Sequence, residues 1–100
     1  MDRNQFVLDG EVIETDSLRH TPAGMPVLSL RIRHQSQQEE AGKMSMAQFE
    51  VGAVAFDDTA LALSKIRPGE MLLVKGFMNR KNRFSEYPVL HITQFKLLVR

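Results

Sequence analysis

Apolar and polar residues alternate along most of this chain, and the alternation divides it into five strand-like runs and one helix-like run. Residues 5–15, QFVLDGEVIET, set Phe6, Leu8, Gly10 and Val12 on one face and Val7, Asp9, Glu11 and Ile13 on the other. Gly10 within that run marks a bend or a close approach of backbones. Residues 16–25 read as a loop containing the turn Thr21-Pro22-Ala23-Gly24. Pro22 fixes φ at the turn entry, and Gly24 takes a positive φ at no steric cost. Residues 26–36 form a second strand, in which Leu28, Leu30 and Ile32 oppose Ser29, Arg31 and Arg33. Residues 37–43, QQEEAGK, are polar and read as a hairpin-like loop reaching Gly42. Residues 44–53 alternate again, with Ala47, Phe49 and Val51 against Met46, Gln48 and Glu50.

The helical run is 57–66, DDTALALSKI. Asp57 or Asp58 can cap its N-terminus, Lys65 and Arg67 lie at its other end, and Pro68-Gly69 stops it. A helix this short persists only with tertiary packing. Residues 70–78, EMLLVKGFM, form an apolar strand interrupted by Gly76, and 79–86, NRKNRFSE, a basic loop. The last strand covers 87–99, with Pro88 confined to its start or edge. Three strands, a short helix and two strands, with glycine bends at 10 and 76, match the OB-fold, an all-β five-stranded barrel with its helix between strands three and four. Closure would remove the edges that five short strands otherwise expose. An α+β sandwich with the helix on an open sheet has the same element order; the two bends favour the barrel.

Composition adds limits. One hundred residues suit one domain with a modest core. The apolar fraction, 43%, and the charged fraction, 25%, are those of a globular chain. No apolar run nears the roughly 20 residues of a membrane helix, and the N-terminus enters a strand-like run at once, unlike a signal peptide. Cysteine is absent, which excludes disulfides and fits a cytosolic compartment. Net charge is only +1, so any anion-binding surface must come from segregated charge. Arg80, Lys81 and Arg83 supply it, beside Phe84 and Tyr87: cations track phosphates and aromatic faces stack on bases. Arg31 and Arg33 share one strand face, and an ordinary alternative pairs them with Glu50 across the sheet. His20, His34 and His91 lie on separate elements without ligand spacing, and the adjacent acids 39–40 and 57–58 do not form a dyad. No catalytic, metal or cofactor constellation emerges.

NQFVLDGEVIE followed by RHTPAGMPVLSLRIRH resembles the start of bacterial single-stranded DNA-binding proteins, and HQSQQEEAG resembles their primosomal branch. The resemblance runs from Asn4 to about Leu98. The chain stops at Arg100 after a strand, where replicative members continue into a flexible region and an acidic tail; this departure points the same way. The resemblance implies a cytoplasmic homodimer that binds single-stranded DNA and connects the restart helicase PriA with the loader DnaT. It implies DNA contacts from the 79–86 loop and the face of strands two and three: Arg19, Arg31, Arg33, Lys43, Gln48, Arg80, Lys81, Arg83 and Phe84. The branch places a Trp near Gln48 or Phe49 and an aromatic near Lys43, where this chain has Lys43, Met44 and Met46. If Phe49 points inward with Ala47 and Val51, that face has no aromatic platform. A protein-interaction module with weak or no DNA binding is therefore the alternative.

Overall fold

In the computed structural model, which describes residues 2–98, the alternating runs become strands that roll into a barrel. The order is β1 (Phe6–Thr15), β2 (Arg19–His20), β3 (Pro26–Glu40), β4 (Lys43–Phe56), α1 (Asp58–Leu63), β5 (Met71–Arg80) and β6 (Pro88–Leu97). The sheet runs β1-β5-β6-β4-β3-β2, and β1 also pairs with β3. That last pairing closes the barrel and disposes of the open-sheet alternative. The five long strands and one helix are those expected of an OB-fold. β2 is a two-residue addition inside the predicted 16–25 loop, pairing Arg19 with Val27 and His20 with Pro26.

Closure needs β1 to serve two neighbours. It pairs with β5 from Phe6↔Gly76 to Glu11↔Met71 and with β3 from Glu11↔Arg33 to Thr15↔Leu30, with a bulge between Val12 and Glu14. Gly10 permits this. A Cβ there would meet the Ile32 side chain and sit 2.6 Å from the Arg33 carbonyl oxygen. Gly76 does the same between β5 and β6, where a Cβ would collide with the His91 carbonyl. Bulges bend and twist strands, and a barrel requires both.

The inward residues fill the core: Val12, Leu28, Leu30, Ile32, Ala53, Ala55, Leu72, Val74, Leu90 and Ile92 are all buried. α1 adds Ala60 and Leu63, packing on β3, β4 and β6. Each fully buried Leu or Ile is worth about 1.5–3 kcal/mol over its exposed state. α1 is shorter than the predicted 57–66. Asp57 stands at its N-cap position without a side-chain cap hydrogen bond. Its backbone, φ 59° and ψ −131°, is not the extended conformation from which a cap side chain reaches the first turn. Asp58 lies inside the first turn, while Lys65 and Arg67 lie beyond the last.

The largest departure is at 37–43. These residues are not a loop: β3 and β4 stay paired from Val27↔Phe56 to Glu40↔Lys43. Ala41 (φ 55°) and Gly42 (φ 78°) form the two-residue, positive-φ turn suited to hairpins. All side chains from Gln37 to Met46 are exposed, so the hairpin stands out from the barrel. The final predicted strand residue, 99, lies outside the described residues.

Candidate nucleic-acid interface

Antiparallel partners share a face, so the register of β3 and β4 defines an outward row: Arg31↔Gly52, Arg33↔Glu50, Gln35↔Gln48, Gln37↔Met46. Arg31 and Arg33 both reach Glu50, with Nη2 atoms 3.4 and 3.5 Å from its two carboxylate oxygens. All three side chains are about half exposed, so the pairs hold little energy but cancel one of the two charges. Gln48 is the next outward residue, and its amide nitrogen lies 3.5 Å from the Gln35 carbonyl oxygen.

At the other end of this row Arg31 lines a cleft of about 230 Å³, shared with Glu14, Asp16, Ser29, Gly52, Lys81 and Val89. The cleft is where two separate sequence candidates converge, the strand face through Arg31 and the β5–β6 loop through Lys81. Gly52 helps to keep it open: a Cβ there would lie 3.4 Å from Val89 Cγ1 and 4.0 Å from Arg31 Nη1. Arg19 joins from β2, its Nη2 donating to Ser29 Oγ at 3.5 Å. Glu14 and Asp16 balance Arg31 and Lys81 inside the cleft. The positive excess lies on the adjoining loop.

That loop is internally ordered. Asn82 Oδ1 accepts from the Phe84 N–H at 2.9 Å and from the Ser85 hydroxyl at 3.3 Å. Arg80 Nη1 donates to the Arg83 carbonyl at 3.2 Å. The Arg83 guanidinium sits over the Phe84 ring, 4.9 Å from its centroid. Phe84 is 80% exposed and Tyr87 78%, so both rings present open faces beside three cations. Among the described residues Arg19, Arg80, Lys81 and Arg83 enter no ion pair.

Lys43 is not brought to this cluster. It begins β4 at the tip of the hairpin, nine residues from Gly52 and so about 30 Å along the strand at ~3.3 Å per residue. Phe49 shares the inward face with Val51, against Phe6, Leu8, Met78 and Leu90 at one end of the barrel. Its ring centroid lies 5.1 Å from that of His34, with the planes tilted by 39°; His34 Nδ1 donates to the Asp9 carbonyl at 2.6 Å and its Nε2 accepts from Ser36 Oγ–H at 2.7 Å. The outward face of β4 between Lys43 and Gly52 therefore carries no ring. Met44 and Met46 hold those exposed positions instead.

Sequence reasoning missed an aromatic row elsewhere. Phe77 and His91 are paired residues of β5 and β6, with ring centroids 5.0 Å apart and planes 16° apart. Phe56 stacks on the other side of His91 at 6.0 Å and 23°. The signal was available: Phe77 is out of phase with the inward Leu72 and Val74. Among the described residues no group of His, Cys, Asp or Glu is arranged to hold a metal, and no helix is long and apolar enough to cross a membrane.

A closed small barrel with a basic, aromatic-bearing loop beside an arginine strand face is the arrangement of an oligonucleotide-binding OB-fold. The model described as "another single-strand binding protein family" matches residues 4–94, and the chain belongs to that family. Replication restart protein PriB of Nitrosomonas europaea is 34% identical over 98% of this chain and 91% of its own length. The solved structure of PriB from Ralstonia solanacearum superposes with a TM-score of 0.89 at 28% identity, covering 96% of this chain and 98% of that one. Within the family, the branch is therefore that of the replication restart proteins PriB. The single-stranded DNA-binding protein of Thermus aquaticus shares the fold, with a TM-score of 0.78 at 18% identity over 97% of this chain and 50% of that one.

Proposed function

We propose that this protein is a non-catalytic, single-stranded DNA-binding adaptor of replication restart that acts in the cytoplasm as a homodimer. The observation that carries this reading is the meeting of Arg31 and Lys81 at one cleft beside a loop whose cations enter no ion pair among the described residues. Phosphates run along Arg80, Lys81, Arg83, Arg31 and Arg33, with Arg19 extending the track. Phe84 and Tyr87 offer stacking faces, and Gln48 and Lys43 line the hairpin beyond. Binding is then largely electrostatic and indifferent to base sequence. β1 and the apolar residues near it form the subunit contact, and the protein stabilises PriA helicase on DNA and helps recruit DnaT.

One observation favours a second reading, a protein-interaction module with weak DNA binding. Glu50 engages both strand arginines, and the outward face of β4 between Lys43 and Gly52 has no ring. A gel shift with oligo(dT) at low salt separates the two. A shifted band at micromolar protein supports the DNA-binding reading; none at tens of micromolar supports the module.

A further inference from the structure

Phe56, His91 and Phe77 form a continuous stack on the outside of the barrel, running from the end of β4 across β6 to β5. Their neighbours Val54, Val74, Leu90 and Ile92 are buried, whereas Phe56 and Phe77 keep 37% and 36% of their surfaces in solvent. Nε2 of the central His91 is buried without a hydrogen-bond partner. The imidazole is thus held by the two phenyl rings, and it fixes them in turn. A preordered row of rings is what a nucleobase stacks on at least entropic cost.

The charge around the row has a direction. Along β5 the outward positions read Lys75, Phe77 and Asn79, about 7 Å apart, and Lys81 follows in the loop just beyond the strand. Val89, next outward on β6 after His91, lines the cleft that holds Lys81 and Arg31. Cation, ring and cation therefore lie on one path leading out of the cleft. At the other end Asp57 and Asp58 follow Phe56 and repel phosphate.

We infer that the Phe77 end of this row is a second contact for single-stranded DNA. A base stacks on Phe77 while the flanking phosphates meet Lys75 and Lys81. This rests on the DNA-binding reading above and lengthens its path from the β3–β4 face onto β5 and β6. Phe56 acts by holding His91 and Phe77 in place.

The test titrates fluorescein-labelled oligo(dT) by anisotropy against the parent, Phe77→Leu, Phe77→Tyr, Phe56→Leu and the Arg80/Lys81/Arg83→Ala variant, with sedimentation velocity on each. Leucine keeps an apolar side chain but has no ring. Phe77→Leu is expected to lose about 10-fold in affinity, the lower part of the range for one stacked base, with the salt dependence unchanged. Phe77→Tyr is expected to bind like the parent, and Phe56→Leu to lose less than Phe77→Leu. Parent-like affinity of Phe77→Leu, beside a loop variant that does lose salt dependence, overturns this inference and leaves the DNA-binding reading standing. A parent that binds no oligo(dT) overturns both. A changed sedimentation coefficient in Phe77→Leu with unchanged affinity makes the row a protein–protein contact and also overturns it.

Discussion

Replacing Gly76 with Ala is expected to damage the barrel more than any other exchange of a glycine for alanine outside β1. The added Cβ would strike the His91 carbonyl oxygen, lie 2.8 Å from its carbon and 3.2 Å from the Ile92 Cα. All three atoms are backbone, so no rotamer change relieves the clash. β5 and β6 must separate at the bulge between Lys75 and Gly76, where Gly76 also pairs with Phe6 of β1. Overpacking of this kind costs about 1–3 kcal/mol, and weakening a ladder hydrogen bond adds about 1. The expected loss is therefore about 3 kcal/mol. At a urea slope near 1–1.5 kcal/mol/M, suited to a small domain, the midpoint falls by about 2–3 M. Far-UV circular dichroism in urea, at one fixed protein concentration, measures it. Gly52→Ala is the control, because its Cβ meets only side-chain atoms, Val89 Cγ1 at an ordinary 3.4 Å and Arg31 Nη1 at 4.0 Å. It is expected to stay within about 0.5 kcal/mol of the parent. A Gly76→Ala midpoint as close to the parent as that of Gly52→Ala would refute the close-approach argument.

Glu50→Gln releases Arg31 and Arg33 from their shared carboxylate. It is expected to tighten oligo(dT) binding and to steepen its log–log salt slope by up to about 1.4, two phosphate contacts at about 0.7 each. Unchanged anisotropy titrations would remove both arginines from the path. Asp57→Gly relieves a positive φ that L-residues adopt at a cost and removes a side chain that makes no cap bond. After the entropic penalty of glycine the net gain is expected to be about 0.5–1 kcal/mol in urea melts; a loss of stability would show that Asp57 supports α1 through its charge.

The barrel was legible because its inward positions are nearly all aliphatic and its two sharp approaches carry Gly10 and Gly76. The long hairpin was not, because 37–43 is exposed on both faces. Strand pairing there needs only backbone and the Ala41-Gly42 turn, so no apolar alternation betrays it. The same absence of burial hid the two-residue β2. Within the site, the pairing of Arg31 and Arg33 with Glu50 follows from strand phase and was open to view. The convergence of Lys81 and Arg31 on one cleft was not, since it depends on the path of the β5–β6 loop. The Phe56–His91–Phe77 row joins three strands, and only the parallel pairing of β4 with β6 brings its parts together.

In the proposed function, phosphates are tracked by the cationic loop and the strand arginines together. The most direct test is the salt dependence of oligo(dT) binding for the parent and for Arg80, Lys81 and Arg83 all replaced by Ala. The parent is expected to bind measurably and to weaken with salt, and the variant to show a log–log slope shallower by about 2. Equal slopes, or a parent that binds no oligo(dT) at low salt, would contradict that tracking.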